Sequence, residues 1–254
     1  MKKMINWRIF FILLIACVVS SWLVLPYYFA LTSSKVVFSA SMLLLSTVQS
    51  IVLFSVAIFF GLRLSKHIGM GMPILQNSLE GKNQTKELKS IIIPSVCWGA
   101  MAGILVVLLS IPFNKLIPEL NLLDVSIPLW KSFLASFYGG IAEEILLRLF
   151  LVSLFVYITL KVKKTKTEHP TKLGIWLSII LAAIIFGLGH LPATAQITSI
   201  TGLVVIRAIL LNGIVGVIFG WLYWKKGLES AIIAHFSADI VLHVMTPSIT
   251  SIFS

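Results

Sequence analysis

The sequence predicts an all-α, polytopic transmembrane helical bundle of about seven spans, on three observations. Hydrophobic residues make up 58% of the 254 and charged residues only 11%, against roughly one-quarter charged in an ordinary soluble domain. The apolar residues fall into runs at 7–31, 36–62, 91–113, 131–160, 173–191, 201–224 and 229–247, each long enough, at about 20 helical residues, to cross a hydrocarbon core. The basic residues gather in every second connection between those runs.

The first run follows Met1-Lys2-Lys3 as a signal sequence would. It exceeds the roughly 7–15-residue apolar core of a cleaved signal and has no small-x-small site, so it reads as a retained first span. After the second run, residues 63–90 mix glycines, a proline and basic residues. They read as a cytoplasmic loop with room for a short interfacial helix. The third run ends among Pro112, Pro118 and Pro128, which mark an outer connection at 114–128. The fourth run, about 30 residues, is long enough for a tilted helix or for a helix with a short re-entrant entry. The basic cluster KVKKTKTEHPTK begins at Lys161 and separates the fourth run from the last three. The chain therefore divides into N-terminal spans and loop (1–129), a motif-bearing membrane segment (130–247) and a short tail (248–254).

The net charge of +11 sits in alternate connections. Lys2, Lys3, Arg8, Arg63, Lys66, Lys82, Lys86, Lys89, Lys161, Lys163, Lys164, Lys166, Lys172, Lys225 and Lys226 fall on one side, against Lys35, Lys115 and Lys131 on the other. By the positive-inside rule the N-terminus is cytoplasmic and the C-terminus outside, as in a multi-pass protein of the cell membrane. The basic balance then reports topology and contact with anionic lipid, not nucleic acid. Cys17 and Cys97 both fall within apolar runs and read as small buried hydrophobes.

The carboxylates inside the spans are confined to the C-terminal half. In YGGIAEEILLRLF, Glu144 and Arg148 are four apart and share a helix face, so they form a neutralised pair, while Glu143 points elsewhere without a cation. The two glutamates therefore have different tasks. The pair suits holding a helix in place, and the solitary carboxylate suits either general-base work or a structural bond to a neighbouring helix. In FGLGH, Phe186 and His190 are one turn apart, with Gly187 and Gly189 allowing a close approach of backbone or substrate. In HFSADIVLH, His235, Asp239 and His243 recur every four residues, so Asp239 is placed to hydrogen-bond His235 and fix its tautomer. Each feature also has a packing explanation, since polar residues join transmembrane helices. Gly216 and Gly220 form a packing face, and Arg207 lies near a span end where it can snorkel to the interface.

Taken in order, EExxxR, FxxxH and HxxxD over residues 130–247 resemble the CAAX protease and bacteriocin-processing (Abi) family of intramembrane endopeptidases. That resemblance implies a helical fold around an intramembrane polar cavity. In it Glu143 and His190 would activate water, His235 and Asp239 would stabilise the oxyanion, and Glu144, Arg148 and Phe186 would support them. The substrate implied is a membrane-associated peptide or protein: a CAAX tail, a bacteriocin precursor or a signalling peptide. The family carries both a metal-free glutamate description and a metalloprotease one. The reading taken is cofactor-free, with zinc on histidines such as His190, His235 and His243 as the alternative. Asp239 stands where eukaryotic prenyl-protein members carry asparagine. Motifs of other intramembrane proteases, HExxH, GxGD and GxSG, are absent from the sequence. Intramembrane acids and histidines also serve proton relays, so a non-enzymatic transport or immunity protein is the competing class.

Overall fold

The computed structural model describes residues 5–31, 39–121, 127–162 and 169–248, and among these all regular structure is helical. Seven helices are long and apolar enough to cross a membrane: Trp7–Leu31, Ala40–Ile68, Thr85–Leu116, Leu129–Val162, Lys172–Thr194, Gly202–Lys226 and Leu228–Ser248. Each coincides with one of the expected runs, and the chain is a multi-pass membrane protein. Their outward sides carry large apolar residues, such as Leu44 at 67% exposure and Ile93 at 71%, a surface suited to lipid. Cys97 is exposed on one of these helices, contrary to the buried role expected of it, whereas Cys17 is buried.

The helices outrun the apolar runs. The second continues to Ile68, where Gly69 ends it in the left-handed region at φ 72°, and the third begins at Thr85. Only two short links and the helix Pro73–Leu79 remain of the expected loop. Lys, Glu and Gln are good helix formers, so a span's helix need not stop where its apolar run does. Pro112 likewise lies inside the third span instead of breaking it. The expected basic residues Lys2, Lys3, Lys35, Lys163, Lys164 and Lys166, and tail residues 249–254, lie outside the described residues. Arg8, Lys66, Lys225 and Lys226 border one shared depression, so the ends of the first, second and sixth spans meet at one face of the bundle.

Small residues bring the spans together where lipid offers no hydrophobic drive for association. A Cβ on Gly187 would lie 2.6 Å from Ile209 Cα, one on Gly216 2.9 Å from Ala183 Cβ, and one on Gly220 2.7 Å from Ile179. The descending order of those partners makes the fifth and sixth spans antiparallel. The seventh span is seated on the third by a second stripe, four residues apart, that the sequence reading passed over. Ser95 bonds Ser230 at 2.7 Å, Gly99 meets the Ala234 carbonyl, and Gly103 meets Ala238 and Val241.

The fourth span is one continuous helix and not a re-entrant entry. Its middle, Tyr138–Glu143 and Ile145–Val152, is wound as π-helix, and so is Ile240–Met245 in the seventh span. Such i→i+5 turns occur frequently at functional sites.

Candidate active site

Glu144 is the hub of a fully buried polar cluster. Its Oε1 lies 2.9 Å from Arg148 Nη1, the expected pair, and 2.7 Å from His235 Nδ1 on the seventh span. Arg148 also donates through Nη2 to the Gly216 carbonyl at 3.1 Å, and its guanidinium lies over the rings of Phe186 and Phe219 at 5.4 and 5.5 Å. Four spans are thus tied to one carboxylate-guanidinium pair. A carboxylate only accepts, so it fixes the proton of His235 on Nδ1 and turns Nε2 toward the other carboxylates. This corrects the expectation that Asp239 sets the tautomer: Asp239 Oδ1 is 3.7 Å from His235 Nε2, beyond hydrogen-bond length.

Glu143 has the separate position the sequence suggested. It is partly exposed to a cavity, with Oε2 3.7 Å from His235 Nε2, so Glu143 and Asp239 approach the same nitrogen. Gly139 creates the room for this: a Cβ there would overlap Asp239 Oδ2 and come within 3.1 Å of His235 Nε2. Phe219, which sequence reasoning did not single out, stacks on the His235 ring at 4.8 Å and 28°. Its signal was the small-residue face at Gly216 and Gly220, between which it lies.

His190 caps the helix Lys172–Gly189 within the fifth span, and its side chain folds back so that Nδ1 lies 2.9 Å from the Phe186 carbonyl. The carbonyl cannot donate, so Nδ1 carries the proton and Nε2 keeps the lone pair. The sequence puts His190 and His235 at different depths, and Phe186 bridges them, its ring 4.8 Å from one and 5.8 Å from the other. Of the two glycines beside His190, Gly187 serves backbone packing, while Gly189 borders open space.

Glu143, His190, His235, Asp239 and His243 line one cavity of about 420 Å³ inside the bundle. The N-terminal spans contribute to it through Val24, Tyr27, Tyr28, Val106 and Asn114. Tyr27 Oη lies 3.3 Å from His243 Nδ1. Arg207 does not snorkel outward; it lines the same cavity and donates to the Leu120 carbonyl at 3.4 Å.

The zinc alternative requires three ligands around one point, with Nε2 of each histidine left to bind. Glu144, Phe186 and Tyr27 engage Nδ1 of His235, His190 and His243 respectively. No three His, Cys, Asp or Glu side chains among the described residues are grouped to hold a metal ion. The arrangement can instead hold a water molecule between carboxylate and imidazole groups in a largely apolar chamber.

Residues 125–241 match the family described as type II CAAX prenyl endopeptidase Rce1-like. The match begins just before the fourth span and ends in the seventh, so the three motifs and the Glu144 cluster lie within it. Neither the curated proteins nor the solved structures gave a match. Over that segment the chain is similar to the CAAX protease family.

Proposed function

We propose that the protein is an intramembrane endopeptidase that hydrolyses a peptide bond in a membrane-associated peptide or protein by a metal-free glutamate mechanism. The observation that carries this reading is the convergence of Glu143, His190, His235 and Asp239 on one cavity within the spans. Glu143 takes a proton from water while His190 Nε2 orients that water. The hydroxide adds to the scissile carbonyl carbon, and the carbonyl becomes an oxyanion. Collapse of the adduct expels the amine, which receives the proton held on Glu143. His235, bonded to Glu144 through Nδ1 and charged when Nε2 is also protonated, donates from Nε2 toward the oxyanion, with Asp239 beside it. The chamber walls keep bulk water from competing with these contacts.

The substrate class is a peptide delivered from the membrane, either a CAAX-type tail or the precursor of a bacteriocin or signalling peptide. The face bearing Arg8, Lys66, Lys225 and Lys226 is assigned to the cytoplasm, which places the N-terminus inside.

The test compares membrane-peptide fragments, by mass spectrometry, between cells carrying the wild type and cells carrying Glu143→Gln. Fragments present only with the wild type are expected, with equal amounts of both proteins in the membrane. Identical fragment sets would overturn the enzymatic reading. Bacteriocin resistance that survives Glu143→Gln would point to the binding-only class instead.

A further inference from the structure

Two cavities lie toward opposite ends of the bundle. The depression on the basic face is lined by Arg8, Lys66, Tyr223, Lys225 and Lys226, and it shares no lining residue with the chamber that holds Glu143, His235 and Asp239. The chamber takes the far ends of the same helices: Tyr27 lies nineteen positions beyond Arg8 in the first span, and Arg207 nineteen before Lys226 in the sixth. Nineteen helical residues rise about 28 Å, close to the roughly 30 Å of a hydrocarbon core.

His235 nonetheless lies only about two helical turns from Leu228, where the seventh span starts beside the basic face. That short inner stretch is solid. Val152, Val156, Ile179, Leu222, Leu228 and Ala231 belong to one core cluster, and each is no more than 2% exposed. Toward the other end the chamber wall turns polar, with Ser110, Asn114, Thr194, Arg207 and Thr246 near the outer ends of their spans. Arg207 Nε and Asn114 Oδ1 are buried there without a hydrogen-bond partner among the described residues, a donor and an acceptor of the kind that water satisfies.

Hydrolysis consumes water, and a peptide carries backbone N–H and C=O groups that lipid cannot satisfy. Both need a polar way in. Among the described residues the chamber has such a wall only at the end away from the basic face.

We propose that the chamber takes its peptide and its water from the non-cytoplasmic side, so that the substrate is a segment already carried across the membrane. The proposal rests on the peptidase reading and on the assignment of the basic face to the cytoplasm. It narrows the substrate to an exported or outward-facing peptide, and excludes a tail that stays in the cytoplasm. A translocation step must then precede cleavage.

Access is tested apart from hydrolysis, on the Glu143→Gln chain with Cys17→Ala and Cys97→Ser, by labelling single added cysteines with a membrane-impermeant maleimide. Ser110→Cys and Asn212→Cys report on the chamber wall from two different spans, and Lys226→Cys reports on the basic face. The chamber cysteines should be labelled in spheroplasts and not in sealed inverted vesicles, and Lys226→Cys should show the reverse. Chamber cysteines labelled from the same side as Lys226→Cys, or from neither side, would overturn the proposal, and so would labelling of Lys226→Cys in spheroplasts. Hydrolysis is read separately, by giving both preparations of the wild type an internally quenched pool of randomised apolar peptides with charged, impermeant ends. Cleavage is expected in spheroplasts alone and should be lost in Glu143→Gln. Glu143-dependent cleavage by inverted vesicles alone would keep the peptidase reading and sink the outward opening. A chamber labelled from outside in a protein that cleaves the pool on neither side would count against the peptidase reading and leave the outward opening standing.

Discussion

Glu144 Oε1 stands 2.7 Å from His235 Nδ1, joining residues 91 positions apart through one oxygen that also pairs with Arg148 at 2.9 Å. This makes Glu144 a positioning residue for His235 and the counter-charge for a buried arginine at once, and the two roles separate experimentally.

Removing one partner of a buried pair costs about 3–5 kcal/mol, whereas replacing both with apolar or neutral groups of similar size is often close to neutral. Arg148→Met and Glu144→Gln should therefore each lower the thermal unfolding temperature in detergent, and the double variant should recover most of it. Cleavage should stay lost in Glu144→Gln and in the double variant, because His235 Nδ1 no longer donates to a carboxylate. A double variant that recovers activity along with stability would show that Glu144 acts only in packing.

Gly139 and Gly189 make a matched pair of probes. A Cβ at Gly139 would overlap the Asp239 carboxylate, and one at Gly189 would meet nothing within 4 Å. Gly139→Ala is expected to reduce cleavage by more than about tenfold, the effect of displacing a reacting group by a fraction of an ångström to an ångström. Gly189→Ala should leave the rate within a factor of about two, as expected where neither packing nor backbone strain changes. Initial rates of both variants, normalised to protein in the membrane, check this.

The seat of the seventh span on the third sets the depth of His235 and Asp239. Gly99→Ala puts a methyl against the Ala234 carbonyl, and overpacking of this kind costs about 1–3 kcal/mol. Thermal unfolding of the purified variant should shift down, with cleavage falling alongside it. An unshifted transition would mean that the two helices part easily.

His243 separates the metal-free mechanism from its alternative. Its Nδ1 lies 3.3 Å from Tyr27 Oη, at the cavity but without a contact to the Glu144 cluster. His243→Ala and Tyr27→Phe should each change the rate by no more than about threefold, the scale of one neutral hydrogen bond. Loss beyond about a hundredfold, together with one zinc per wild-type chain by elemental analysis, would establish His243 as a ligand.

Much of this arrangement was legible in the sequence because lipid leaves few options: apolar runs of sufficient length must be helices, and the charges within them stand out. Glu143 and Glu144 could be given different tasks because adjacent helical residues point in different directions. The choice of His235's partner could not be read, since Asp239 was the near neighbour in sequence and Glu144 comes from another span. The π turns left no trace either, because a run that is apolar on most sides has too little periodicity to distinguish i→i+4 from i→i+5. Arg207 was placed by its position near a span end, and only the packed bundle turns it inward. The helical extensions beyond the second and third runs escaped notice because hydropathy locates lipid, not the end of hydrogen bonding.

The first span carries no motif, yet Val24, Tyr27 and Tyr28 form part of the chamber wall. The strength of every charge contact inside depends on how well that wall screens out solvent, since the same pair of charges interacts several times more strongly when water is displaced. Part of what sets the local dielectric is therefore encoded in the half of the chain that carries none of the chemistry. Substitutions along one face of the first span can retune the acids of the fourth and seventh without touching them.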